Sequence, residues 1–378
     1  MSIEFKERKV PLMERFGIYY LNLFRRKDDG RHAFDFTDEE LSRRVNRISS
    51  RGMLLSGITG LICVWPTVYI AVLKQHEPWY IQYGCIAGVT VISIIIEFYF
   101  LFVIALKAVH EVSELVNMRR HERDFLMDGP FSITNILSRA ALELPDPEMH
   151  ILGIDPFKRV SKKNLLLLGL LYKCKIVITN FVAKWLLTFT VGTTIRGLPI
   201  GYIALPVEYF WNAVVIRRVV EEARLRLFGF ALCNHIADEI LDGGYLQQLS
   251  TEARIGCMRA IGNAVVLTRN YHPNMIVLLL RFQHLLHINK DHRYDDWSLF
   301  LQTLKTVSSQ ERFFLLDLFT VAAAFDGKIS RLEAANLKDA YGEYFELYQP
   351  RLMKLTEHLK SGQLNAAAEL CKIDFKAG

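Results

Sequence analysis

Residues 164–216 read NLLLLGLLYKCKIVITNFVAKWLLTFTVGTTIRGLPIGYIALPVEYFWNAVVI. Each half of this stretch is apolar over about the ~20 residues that cross ~30 Å of hydrocarbon. Yet Lys173, Lys175, Lys184, Arg196 and Glu208 all lie within it. Each charge adds about 2.5–3.5 kcal/mol near the centre of an inserted helix. A plain anchor has no use for them. A pore, a packed polar seam, or a hairpin that is soluble or lies in the interface accommodates them.

At ~100° per residue, Lys173, Asn180 and Lys184 share a narrow stripe, whereas Lys175 lies nearly opposite. On the returning arm, Glu208 and Asn212 are one turn apart on one face. Folding the hairpin about Thr194 brings Glu208 to the depth of Asn180 and Lys184. The expected consequence is a Lys184–Glu208 pair inside the bilayer, either locking two helices or lining a hydrated anion or proton pathway. Lys162 and Lys163 before the stretch, Arg217 and Arg218 after it, and Trp185 and Trp211 at interfacial depths favour crossing over lying flat.

Working outward, residues 52–73 carry no charge and read as a span kinked at Pro66. After a turn at 74–78, Trp79 and Tyr80 suit an interface, and residues 81–106 form the return span, interrupted only by Glu97. Gly84 and Gly88 have the small-xxx-small spacing that lets helices approach closely. Arg43, Arg44, Arg47 and Arg51, and then Arg119, Arg120, Arg123 and Lys158, outnumber Lys74 and Arg196 on the opposite side. This asymmetry predicts that both termini are cytoplasmic. Helical spacing of Leu12, Phe16, Tyr19, Tyr20 and Leu23 predicts an amphipathic helix over 11–24, packed on the protein itself or lying on a membrane. Thr37, with Glu40 three residues on at the spacing of a capping box, opens a second helix that is expected to end in Arg43, Arg44, Arg47 and Arg51, before a separate span from Gly52.

The 378 residues are about half apolar with a formal charge of +6, which fits membrane spans flanked by bases and makes anionic lipid headgroups the natural partner. No basic stripe interleaved with aromatics speaks for nucleic acid. The six cysteines show no close pairing and read as packing residues. The first residues lack a signal peptide's apolar core. His284, His287 and His292 have metal-like spacing without a completing cysteine or carboxylate cluster, and His235, Asp238 and Glu239 read as a helix-face charge group. With no Walker loop, dinucleotide fingerprint, GxSxG or HExxH, the sequence points to no enzyme, no cofactor and no catalytic residue.

Past residue 216 the fourth apolar helix is expected to run on into an all-helical region. Breaks fall at Gly243-Gly244 and at 270–273, and helix starts at Ser308 with Glu311 and at Ser330 with Glu333. The run Ala322-Ala323-Ala324-Phe325-Asp326-Gly327-Lys328-Ile329-Ser330-Arg331-Leu332-Glu333 places Asp, Gly, Ile and Glu as an EF-hand loop would, but alanines occupy the first and third ligand places. A tight Asp-Gly turn between helices explains it without metal. This run, with Asp317 one helix-length earlier, resembles the TerB-like family of small helical domains associated with tellurite resistance and membrane-linked stress responses. The resemblance implies a helical domain over 300–378, with Asp317, Asp326 and Glu333 as its weak metal candidates.

The expected architecture is all-α, with two transmembrane hairpins. Amphipathic helices occupy 1–51, the hairpins 52–106 and 164–216, a linker 107–163, a cytosolic helical region 217–299 and the TerB-like domain 300–378. Glu97, Lys173, Asn180, Lys184, Glu208 and Asn212 are the intramembrane polar candidates. The expected role is a cytosolic interaction or regulatory module held at a bacterial inner membrane through a protein partner or self-association. The alternative is an oligomeric channel or transporter.

Overall fold

The computed structural model describes residues 12–24, 33–74, 76–116, 137–138, 154, 200–268, 272–288, 294–329, 331–371 and 373. Among the described residues the regular structure is entirely helical, as the sequence predicts. Three long helices form a stem: α2 (Asp38–Leu73), α3 (Trp79–Leu115) and α4 (Ile200–Gly243). A short helix α1 (Leu12–Leu23) lies on α3. Around the lower half of α4 pack α5 (Tyr245–Gln248), α6 (Thr251–Thr268), α7 (Pro273–Leu286), α8 (Trp297–Thr306), α9 (Ser309–Ala324), α10 (Arg331–Tyr341), α11 (Phe345–Ser361) and α12 (Leu364–Leu370).

Helix α2 begins where the Thr37 hydroxyl accepts from the Glu40 amide, and three acidic residues in its first turn suit the helix's positive end. Glu40 does not reach back to close a capping box. Its carboxylate instead bonds Arg44 at 2.7 Å, one turn on. The sequence suggests one helix ending at the arginines and a separate span from Gly52, but the structure has a single helix through both, with Pro66 inside it. Gly52 does not break it. Its missing side chain leaves room for Ile216 of α4, and such packing outweighs a glycine's helix cost of about 1 kcal/mol.

The three stem helices have two regimes along their length. In the lower part Leu41, Val45 and Ile48 of α2, Leu106, Val109 and Val112 of α3, and Ile216, Val219 and Val220 of α4 are buried in a core continuous with the helices from α6 to α12. In the upper part the outward faces are apolar and bare: Ile62 on α2 is 66% exposed and Ile95 on α3 is 64% exposed. From Leu54 to Leu73 this bare stretch rises about 29 Å, close to the thickness of a bilayer's hydrocarbon. Only 28% and 22% of the most apolar windows of α2 and α3 are buried, whereas the core helix of a water-soluble protein is mostly covered. Two helices are thus long and apolar enough to cross a membrane.

Below the stem, helix ends follow local chemistry. Helix α4 stops at Gly243, with Gly244 at φ +64° as the left-handed residue that lets the chain turn. Proline at the first position opens α7, where the missing amide hydrogen costs nothing. Ser308 and Glu311 form a complete capping box on α9, and the Glu311 carboxylate also accepts from the Ser250 amide at 2.7 Å, joining the starts of α6 and α9. The buried residues of 217–299 and of 300–378 belong to one continuous apolar cluster.

Candidate functional site

Polar residues in the stem gather where α2 and α4 come closest. The two helices run antiparallel, and α4 presses on a small-residue face of α2 formed by Gly52, Ser56, Gly57 and Gly60, all buried. A Cβ built at Gly57 would lie 2.5 Å from the Tyr209 ring, and one at Gly60 would lie 2.5 Å from Asn212 Nδ2 and 3.2 Å from the Glu208 carbonyl. Only glycine admits α4 at this distance. Nothing within 4 Å meets a Cβ built at Gly84 or Gly88 among the described residues, so the close approach uses a face of α2 rather than that pair on α3.

Against Gly60, the Asn212 amide donates a 2.7 Å hydrogen bond to Glu97 Oε1 across α4 and α3. Both residues are buried, Glu97 at 5% and Asn212 at 1% exposure. Glu208, half-buried, is one turn earlier on the same helix. Gly60, Glu97 and Glu208 each lie nine or ten residues from Arg51, Lys107 and Arg217 on their own helices, so the cluster stands about 14 Å above those basic residues. Three of the six intramembrane candidates, Glu97, Glu208 and Asn212, thus belong to one neighbourhood. Lys173, Asn180 and Lys184 lie outside the described residues, as does the expected Lys184–Glu208 pair.

The Glu97–Asn212 bond was not anticipated from sequence, where Glu97 had no named partner. One signal for it was available. The spacing Gly52-xxx-Ser56-xxx-Gly60 marks the α2 face on which another helix closes, and Glu208 and Asn212 already shared a stripe.

Helix α1 presents Phe16 and Tyr20 to α3, with the Tyr20 and Tyr99 hydroxyls 2.6 Å apart, and Phe24, just past its end, lies beside His110. Tyr19 and Leu23 are left exposed. The amphipathic stripe is therefore partly a packing face on the protein's own stem.

Of the residues that carry the resemblance, Asp317 and Asp326 make contacts within the helical core. Asp317, buried on α9, is held by the Arg351 guanidinium of α11, which also donates to the Leu370 carbonyl at 2.9 Å. Burial first, and Asp317 beside it second, push the Tyr348 hydroxyl above its usual range. Asp326 accepts from the Lys328 amide at 2.9 Å in an Asp-Gly turn, and burial pushes its carboxyl up to about 6, against the pull of Lys328 and Lys360. Gly327, at φ +68°, fits the turn under Leu225 of α4. The Glu333 side chain lies outside the described residues. Among the described residues no group of three or more His, Cys, Asp or Glu is placed to hold a metal ion. His284 in the last turn of α7 and His287 just after it are exposed, their rings 6.3 Å apart.

Asn274 joins the parts: its amide donates to the Leu225 carbonyl of α4 at 3.2 Å and to the Phe325 carbonyl after α9 at 3.4 Å. Its own carbonyl accepts from the Cys233 thiol at 3.3 Å, and burial pushes that thiol's pKa up. The arrangement couples the stem helix to the Asp-Gly turn through hydrogen bonds and packing. Compared with protein families, with curated proteins and with solved structures, the chain finds no match.

Proposed function

We propose that the chain is an integral membrane protein whose stem crosses the bilayer and whose helical core, TerB-like in its C-terminal part, acts on the cytoplasmic side by contact with other proteins. The observation that carries this reading is the change of regime along α2 and α3. The same helices are bare and apolar above one level and packed into a core below it. A membrane supplies the missing partner for the upper part.

The proposed topology keeps four crossings, and what supports it is the level of two described residues: Ile154 is buried against Gly262 in the core, whereas Ile200 begins α4 about 24 Å above Ile216. The excess of arginine and lysine around the core supports a cytoplasmic position for it. Within the stem, the Glu97–Asn212 bond supports a packing role for the intramembrane charges over a conducting one, because both groups are buried and directed at each other.

The test of topology uses a chain with its native cysteines replaced. Glu77→Cys, in the turn between α2 and α3, is expected to react with an impermeant thiol reagent on intact cells, and Lys354→Cys, exposed on α11, only after permeabilisation. Equal reactivity of the two overturns the reading. The contact role is tested by photo-crosslinkers at Leu347 and Met353, both exposed on α11, in native membranes. A discrete adduct is expected, and none at either position removes α11 as the contact surface.

A further inference from the structure

A Cβ built at Gly52 would lie 2.8 Å from Ile216 Cγ2 and 4.0 Å from Ala108 Cβ, which fixes one common level on the three stem helices. The neighbours of those residues are Arg51 on α2, Lys107 on α3 and Arg217 on α4. All three are exposed, as are Arg218 and, one turn below Arg51, Arg47. Above this level α2 carries no charge as far as Leu73, and the outward faces are apolar. Arg217 bonds Glu221 at 2.9 Å, on the side of the core. Among the described residues, Arg47, Arg51, Lys107 and Arg218 have no carboxylate within ion-pair distance.

We propose that Arg47, Arg51, Lys107, Arg217 and Arg218 form a girdle around the stem that binds the phosphate headgroups of anionic phospholipids in the leaflet nearest the core. The proposal rests on the membrane reading above. Two features point to lipid rather than to an acidic protein. The charges stand on three helices around one level, a shape that suits many small ligands arranged in a plane, and the bare apolar surface begins directly above them, where acyl chains would lie. Four of the five are arginines, whose planar donors pair with phosphate oxygens two at a time. Each basic group at an anionic surface favours binding by about fivefold.

The experiment reconstitutes the full chain into bilayers of three parts zwitterionic to one part anionic phospholipid, and identifies the lipids retained on the protein by native mass spectrometry. The unaltered chain is expected to retain anionic lipid at several times its bulk share, less so at 0.5 M salt. Replacement of Arg47, Arg51, Lys107 and Arg218 together by Gln is expected to return the ratio to the bulk value, with lysine at the three arginine positions keeping most of the enrichment and Arg43→Gln keeping all of it. Helical content measured on each variant controls for folding, and Arg51→Gln with Lys107→Gln gives the same readout at smaller amplitude. Enrichment that survives in the folded variants, or bulk composition around the unaltered chain, overturns the girdle. Insertion into purely zwitterionic bilayers, read by resistance to alkaline extraction, is measured in parallel. Insertion without enrichment overturns the girdle alone, and no insertion overturns the membrane reading together with it.

Discussion

Asn212 of α4 and Glu97 of α3 are 115 residues apart in sequence and meet at 2.7 Å inside the stem. Replacing Asn212 by Leu leaves the buried Glu97 oxygen without this donor, at an expected cost of about 1–3 kcal/mol. Replacing both residues by Leu is expected to recover part of that loss, since neither member of this pair is then left without the other. Denaturation of the four members of the double-mutant cycle in lipid or detergent measures the coupling, and simple additivity would show that the bond does not hold the helices.

The glycines of α2 and α3 separate packing from composition. Gly60→Ala forces a methyl group to within 2.5 Å of Asn212 Nδ2 and close to the Glu208 backbone, and α4 has to move, at an expected cost of about 1–3 kcal/mol. Gly84→Ala and Gly88→Ala meet nothing and are expected to be neutral or to stabilise by up to about 1 kcal/mol. Thermal denaturation of the three single variants decides it, and a large loss at Gly84 would mean that this face is covered by another helix.

Asp326 gives the core a pH signature. Its carboxyl titrates near 6 in the folded chain, above the ~3.9 of an unfolded aspartate, because burial disfavours the charge. The folded state therefore holds the proton more tightly, and this contribution to stability is full below about pH 4 and lost as pH rises through 6. Asp326→Asn, which keeps an acceptor for the Lys328 amide, is expected to gain stability relative to the unaltered chain at pH 7 and to lose that advantage by pH 4. Unfolding curves at several pH values show it, and a difference independent of pH would mean that Asp326 is not held this way.

Asp317 and Arg351 form an ion pair between α9 and α11, with the Asp317 side chain 8% exposed. Asp317→Ala strands the guanidinium and is expected to cost about 3 kcal/mol. Because the carboxylate is already engaged, calcium or manganese is expected to leave the melting temperature unchanged. A metal-induced rise that disappears in Asp317→Ala would restore the ligand role suggested by the TerB-like resemblance.

Local chemistry was legible in the sequence. The Ser308–Glu311 box, the end of α4 at Gly243, the break before α7 at 270–273 and the Asp-Gly turn at 326–327 each depend on residues within four positions of one another. The all-helical class followed from the same short-range signals. The phase and depth at which distant helices meet were not legible. Glu97 faces Asn212, and α1 faces Tyr99, because of rotations set by packing over many residues. The spacing rule that singled out Gly84 and Gly88 applied equally to Gly52, Ser56 and Gly60, and only the neighbour's approach distinguishes them. The break expected between Arg51 and Gly52 failed for a related reason: a change from charged to apolar residues alters a helix's surroundings without interrupting its backbone.

Asp38, in the first turn of α2, accepts hydrogen bonds from the amides of Asn365 and Ala366 at 2.8 and 3.1 Å, and the Asn365 side chain reaches the Phe36 carbonyl at 2.8 Å. The base of the first long helix is thus clasped by a segment made 327 residues later. During synthesis α2 leaves the ribosome long before its clasp exists. On the proposed membrane reading its upper half enters a bilayer at once, while Leu41, Val45 and Ile48 wait without their partners on α4. Insertion would then precede closure of the core, and the lower half of α2 is the part of the young chain for which a chaperone has the longest opportunity.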